Sequence, residues 1–76
     1  MGKYNVELDC LGKMCPMPIV KLNLAVRKLN SGELAFIKAD DLAFRKDVEA
    51  WAKAAGHKIV EFRESGEILS AVIQKK

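Results

Sequence analysis

The sequence predicts an α/β fold: a two-layer α/β sandwich in βαβαββ order, with a four-stranded mixed sheet and two helices on one face. Three observations predict it. The chain switches between a hydrophobic period of two and one near 3.6. Glycine, proline and small polar residues mark each switch. With 76 residues there is enough chain for a single domain, 1–76, and for one core.

Tyr4-Asn5-Val6-Glu7-Leu8-Asp9 alternates apolar and polar residues, which makes a strand with Tyr4, Val6 and Leu8 on one face. Cys10 keeps that parity if the strand continues. Gly12 then opens a tight loop. Pro16 and Pro18 suit the first turn of a helix, where a missing N–H costs nothing. The residue before a proline is biased away from helical angles, so Cys15 is the natural N-cap and the helix covers about 16–29. Ile19, Leu22, Val26 and Leu29 form the stripe expected to face the sheet. Met17, Val20 and Leu24 form a second stripe, roughly opposite.

Asn30-Ser31-Gly32 ends this helix. Leu34-Ala35-Phe36-Ile37-Lys38-Ala39 is almost continuously apolar, as an interior strand would be. Asp40-Asp41 offers caps for a second helix over about 43–55, with Phe44, Val48, Trp51, Ala52 and Ala55 on one face. Arg45, Glu49 and Lys53 fall at i, i+4 spacing on its outer side, and Gly56 stops it. Strands over 58–64 and 68–74 follow, joined by a hairpin turn read at Ser65-Gly66.

Composition narrows the function. Half of the residues are apolar, so a core can form without metal or disulfide, and neither metal nor cofactor is expected. So small a domain leaves no room for a deep cofactor pocket, which puts any reactive group near the surface. The net charge of +3 is mild and the basic residues are scattered, which argues against nucleic acid. Met1-Gly2-Lys3 runs straight into the first strand, and no apolar run reaches the length of a membrane span. The reading is a cytoplasmic protein that is not membrane-embedded, with its two cysteines as reduced thiols.

Cys15 is the candidate reactive group. The start of a helix presents unpaired N–H groups and a partial positive charge, and a thiol placed there ionises more readily. The thiolate is the nucleophile. The alternative is a buried, inert thiol, as free cysteines commonly are. The setting of Cys15, between the loop Gly12-Lys13-Met14 and two prolines and ahead of the core stripe, favours reactivity.

Leu8-Asp9-Cys10-Leu11-Gly12-Lys13-Met14-Cys15-Pro16-Met17-Pro18 resembles the signature of the TusA-like sulfur-carrier family, whose defining element is Cys-Pro-x-Pro. Gly32-Glu33, Ala39-Asp40-Asp41, Asp47 and Gly56-His57 also fall where that family has similar residues. The resemblance runs over essentially the whole chain. It implies the same βαβαββ fold. It also implies that Cys15 receives sulfane sulfur from a donor protein, of desulfurase or rhodanese type, and passes it to an acceptor protein. Family members feed tRNA thiolation, sulfur oxidation or thiosulfate assimilation, so thiosulfate and a membrane sulfur transporter join the candidate partners. A carrier is both reagent and product, so the resemblance does not by itself make the protein an enzyme.

Cys10 has two readings: an inert core thiol, or an auxiliary thiol that attacks a Cys15 persulfide, releases sulfide and leaves a disulfide. The second would make the protein a thiosulfate-processing, sulfide-releasing enzyme using Cys15 and Cys10, with Lys21 assisting. Pro16, Pro18 and Gly12 are assigned structural roles at the helix start. Met17, Val20 and Leu24, rimmed by Lys13, Lys21 and Arg27, form a candidate docking face for acidic partners. Asp9 reads as a loop-organising acceptor, since a carboxylate beside a thiol opposes its ionisation. His57 reads as a surface residue. Two further classes compete: a non-catalytic regulatory module, and an RNA-binding module argued from fold analogy alone.

Overall fold

The computed structural model describes residues 4–12 and 17–76, the side chains of Met17 and Pro18 excepted. The elements are β1 (Val6–Cys10), α1 (Met17–Arg27), β2 (Leu34–Ala39), α2 (Phe44–Ala55), β3 (Lys58–Ser65) and β4 (Ile68–Gln74). They make one four-stranded sheet in the order β1-β2-β4-β3. β1 runs parallel to β2, while β4 is antiparallel to both β2 and β3. The predicted fold class and element order are those observed.

One sheet face carries the core. Register places Cys10 beside Ala39 and Leu8 beside Ile37 on β1 and β2, and Ala71 faces Ile37 across β4. Ala35, Ile37 and Ala39 alternate with less buried neighbours, as a pleated strand requires. Leu22 and Val26 of α1 and Phe44, Val48 and Ala52 of α2 are buried, and all but Ala52 belong to the central core cluster. Both helices therefore cover the same face. Ile19 and Leu29 pack against the edge of this core, completing the predicted inner stripe of α1.

Element ends differ in instructive ways. α1 stops at Arg27, where the Val26 carbonyl accepts both the Leu29 N–H at 3.0 Å and the Lys75 ammonium at 3.1 Å. Gly56 closes α2 at φ 81°, where a side chain would be strained. Ala55, expected on the inner face of α2, is the last residue of the helix and is exposed. The hairpin turn is Gly66-Glu67, with Ser65 inside β3 paired to Ile68. β3 carries a bulge between Ile59 and Glu61, which interrupts the alternation of an edge strand.

Tyr4 departs from its expected face. β1 begins only at Val6, so strand parity does not extend back to Tyr4. Its ring stacks on Phe36 with centroids 5.2 Å apart, on the face without helices. Asn5 fixes this entry, donating its backbone N–H to the Leu34 carbonyl and accepting the Leu34 N–H at its side-chain oxygen.

Candidate functional site

The site is built where β1 and β2 end side by side. After Cys10 the chain turns through Leu11 and Gly12 and re-emerges as α1 at Met17. Gly12 has φ +79°, the left-handed conformation that glycine adopts without strain, which accords with the tight turn expected there. The Leu11 N–H donates to Asp9 Oδ1 at 3.1 Å, so Asp9 is a loop-organising acceptor. The Gly12 N–H is shared between the two oxygens of Asp40, at 3.0 and 3.1 Å.

The Asp40 contact corrects the expectation that the Asp40-Asp41 pair supplies the caps of α2. The N-cap residue is Ala43, which makes no side-chain cap hydrogen bond. Asp41 organises the approach instead: its Oδ1 accepts the Ala43 N–H at 3.0 Å and its carbonyl accepts the Phe44 N–H at 2.9 Å. Asp40 reaches across to the turn that follows β1. Sequence reasoning missed this partnership because it depends on the β1–β2 register; the signal was the parallel pairing itself, which brings Cys10 level with Ala39.

The candidate residues Cys15, Lys13 and Pro16 lie outside the described residues, as do the side chains of Met17 and Pro18. Cys10 is 0 % exposed and belongs to the core cluster. On α1, Val20 is 45 % and Leu24 53 % exposed, while Leu22 and Val26 on the other side are fully buried. Lys21 and Arg27 are exposed beside Val20 and Leu24. The helix carries no acidic residue, so its outer face is apolar with a basic rim.

His57, expected at the surface, is half-buried. Its ring packs against Trp51 at 5.1 Å and its Nδ1 accepts the Lys76 N–H at 3.0 Å. Burial, then the nearby Lys75 and Lys76 charges, lower its pKa below 6.5. A cleft of about 320 Å³ on the helix-free face is lined by Tyr4, Phe36, Ser70 and Val72 among others; none of the predicted site residues lines it. Among the described residues, no group of three or more His, Cys, Asp and Glu side chains is gathered as a metal site requires. Among the same residues, no helix is long and apolar enough to cross a membrane.

Comparison with known proteins assigns the family. A family model described as Sulfurtransferase TusA matches residues 6–75. The putative sulfur carrier protein YrkI of Bacillus subtilis is 41 % identical over 73 residues, covering 96 % of this chain and 97 % of that protein. The sulfur carrier protein TusA of Allochromatium vinosum is 32 % identical over 75 residues, covering 99 % of each. A crystal structure of a SirA-like protein from Desulfitobacterium hafniense superimposes with a TM-score of 0.81 at 21 % identity, covering 91 % of this chain and 95 % of that one, a likeness of fold. A family match over residues 6–75, with relatives 32–41 % identical along nearly the whole chain, leads to one conclusion: the chain belongs to the TusA family of sulfurtransferases.

Proposed function

We propose that this protein is a cytoplasmic sulfur carrier that relays sulfane sulfur as a persulfide on Cys15 between donor and acceptor proteins. The observation that carries the reading is the Cys15-Pro16-Met17-Pro18 element, standing between Gly12 and the body of α1 in a chain that matches the TusA model from residue 6 to 75.

In the loading step, the Cys15 thiolate attacks the terminal sulfur of a donor persulfide. The donor S–S bond breaks, the donor leaves as a thiolate, and Cys15 becomes a persulfide. In delivery, an acceptor thiolate attacks that outer sulfur and Cys15 departs as a thiolate. No net oxidation occurs over the cycle. Thiosulfate can load the same thiolate, with sulfite as the leaving group. The two prolines set the backbone at the helix start, and Gly12 allows the turn that precedes it.

Docking is assigned to the outer face of α1. Val20 and Leu24 are half-exposed apolar residues on a helix whose charges, Lys21 and Arg27 among them, are all basic. A basic rim around an apolar patch suits acidic partners. The alternative sulfide-releasing chemistry draws no support from Cys10, whose place in the core requires local opening before its sulfur can attack.

Mass spectrometry tests the proposal. Incubation with thiosulfate or with a persulfide-loaded donor protein should add about 32 Da, one sulfur atom, to the peptide containing Cys15, and Cys15→Ser should abolish the gain. A wild-type protein that stays unmodified with both reagents overturns the carrier reading.

A further inference from the structure

We infer that Asp40 is a positioning residue for the reactive loop, holding through the Gly12 N–H the point from which the chain departs toward Cys15. The inference rests on the carrier reading only in taking Cys15 as the reacting group.

Asp40 and Gly12 are 28 residues apart, yet both carboxylate oxygens lie within hydrogen-bond distance of one amide, at 3.0 and 3.1 Å. Topology makes this contact available. Parallel pairing sets Cys10 level with Ala39, so the residues that follow leave the sheet at the same end. Helix capping does not account for the carboxylate, since the start of α2 is served by Asp41 and the Ala43 cap has no side-chain partner.

The neighbouring amide is held as well, by Asp9 Oδ1 at Leu11. Two successive N–H groups after β1 are thus bound by two carboxylates, one within β1 and one just past the end of β2. On the far side, α1 is fixed by burial of Leu22 and Val26. Gly12, the last described residue before Cys15, is therefore anchored, and Asp40 supplies the anchor that comes from outside the local sequence. An anchor of this kind orients a reacting group without touching it.

The test compares the full chain with Asp40→Ala and Asp40→Asn, each folded by circular dichroism and assayed well below its melting midpoint. Asparagine keeps one acceptor oxygen without the charge. Two rates are read at Cys15 by peptide mass: alkylation by iodoacetamide, and sulfur loading from inorganic polysulfide. Asp40→Ala should lower both about fivefold, and Asp40→Asn should restore them to within about twofold of wild type. A purely structural role would shift the melting midpoint and leave both rates of the folded protein unchanged.

Equal rates in wild type and Asp40→Ala overturn the inference, and so does an Asp40→Asn protein as slow as Asp40→Ala. If Asp40→Ala does not fold, amide exchange in the wild type decides: Gly12 must be protected, and exchange as fast as in an unstructured peptide overturns the inference. A wild type that takes no sulfur while the alkylation ranking holds instead removes the carrier reading and leaves the positioning role standing.

Discussion

Trp51 donates its indole N–H to Asn23 Oδ1 across 3.2 Å, joining the two helices by a partly buried polar contact. Both helices bury their apolar faces on the sheet, and this contact ties one helix to the other. Asn23→Ala removes the acceptor and leaves the indole N–H in a half-covered position. The expected loss is about 1 kcal/mol, or a fall of about 4–8 °C in melting midpoint for a domain this small. Thermal denaturation followed at the Trp51 fluorescence checks it.

The pH dependence of stability is set in part by His57. Its folded pKa is lowered by burial and then by Lys75 and Lys76, so the folded state binds the proton less readily than the unfolded chain. Protonation also removes the Nδ1 acceptor used by the Lys76 N–H. The contribution is complete above the unfolded value near 6.5 and is lost as pH falls through the lower folded value. Urea denaturation at pH 8 and at pH 5 should show the wild type weakened at the lower pH. His57→Asn, which keeps an acceptor but does not titrate, should weaken less over the same interval.

At Gly12 the backbone alone dictates the residue. A Cβ there would meet no atom of the described residues within 4 Å, yet φ is +79°. Gly12→Ala should therefore cost about 1 kcal/mol through conformational strain. Chemical denaturation measures this directly, and an unchanged midpoint would show that the turn relaxes into another conformation.

Docking through α1 predicts a separation of two rates. The pair Val20→Glu and Leu24→Glu places two carboxylates on a half-exposed apolar face. Transfer of sulfur from a loaded donor protein should slow about tenfold, as expected when charge is added to the centre of an interface. Reaction of Cys15 with iodoacetamide should stay within about twofold of wild type, since a small reagent needs no docking face. Equal slowing of both reactions would assign these positions to the structure of the helix instead.

Much of this fold is legible in local pattern. The stripe Ile19, Leu22, Val26 and Leu29 identifies the inner face of α1 because helical spacing decides which residues meet the sheet. The same spacing leaves Val20 and Leu24 outward. Gly12 and Gly56 mark their turns because positive φ excludes most side chains. What stays hidden depends on pairing between distant segments. The reach of Asp40 to Gly12 follows from the β1–β2 register, and the Tyr4–Phe36 stack from where β1 begins to pair. The bulge at Ile59 and Glu61 has no glycine or proline to announce it. For the site, the sequence supplies the thiol and its prolines, while the carboxylate that anchors the preceding turn emerges only from the assembled sheet.

The order β1-β2-β4-β3 gives the last of its four strands in chain order an interior place. A ribosome delivers β1, α1 and β2 first, with one flank of β2 still lacking its partner. α2 and β3 follow, and β3 has no strand partner until β4 arrives between it and β2. Completion of the sheet is thus a single late insertion that zips both halves together, and nascent chains halted before residue 68 should stay sticky and dependent on chaperones.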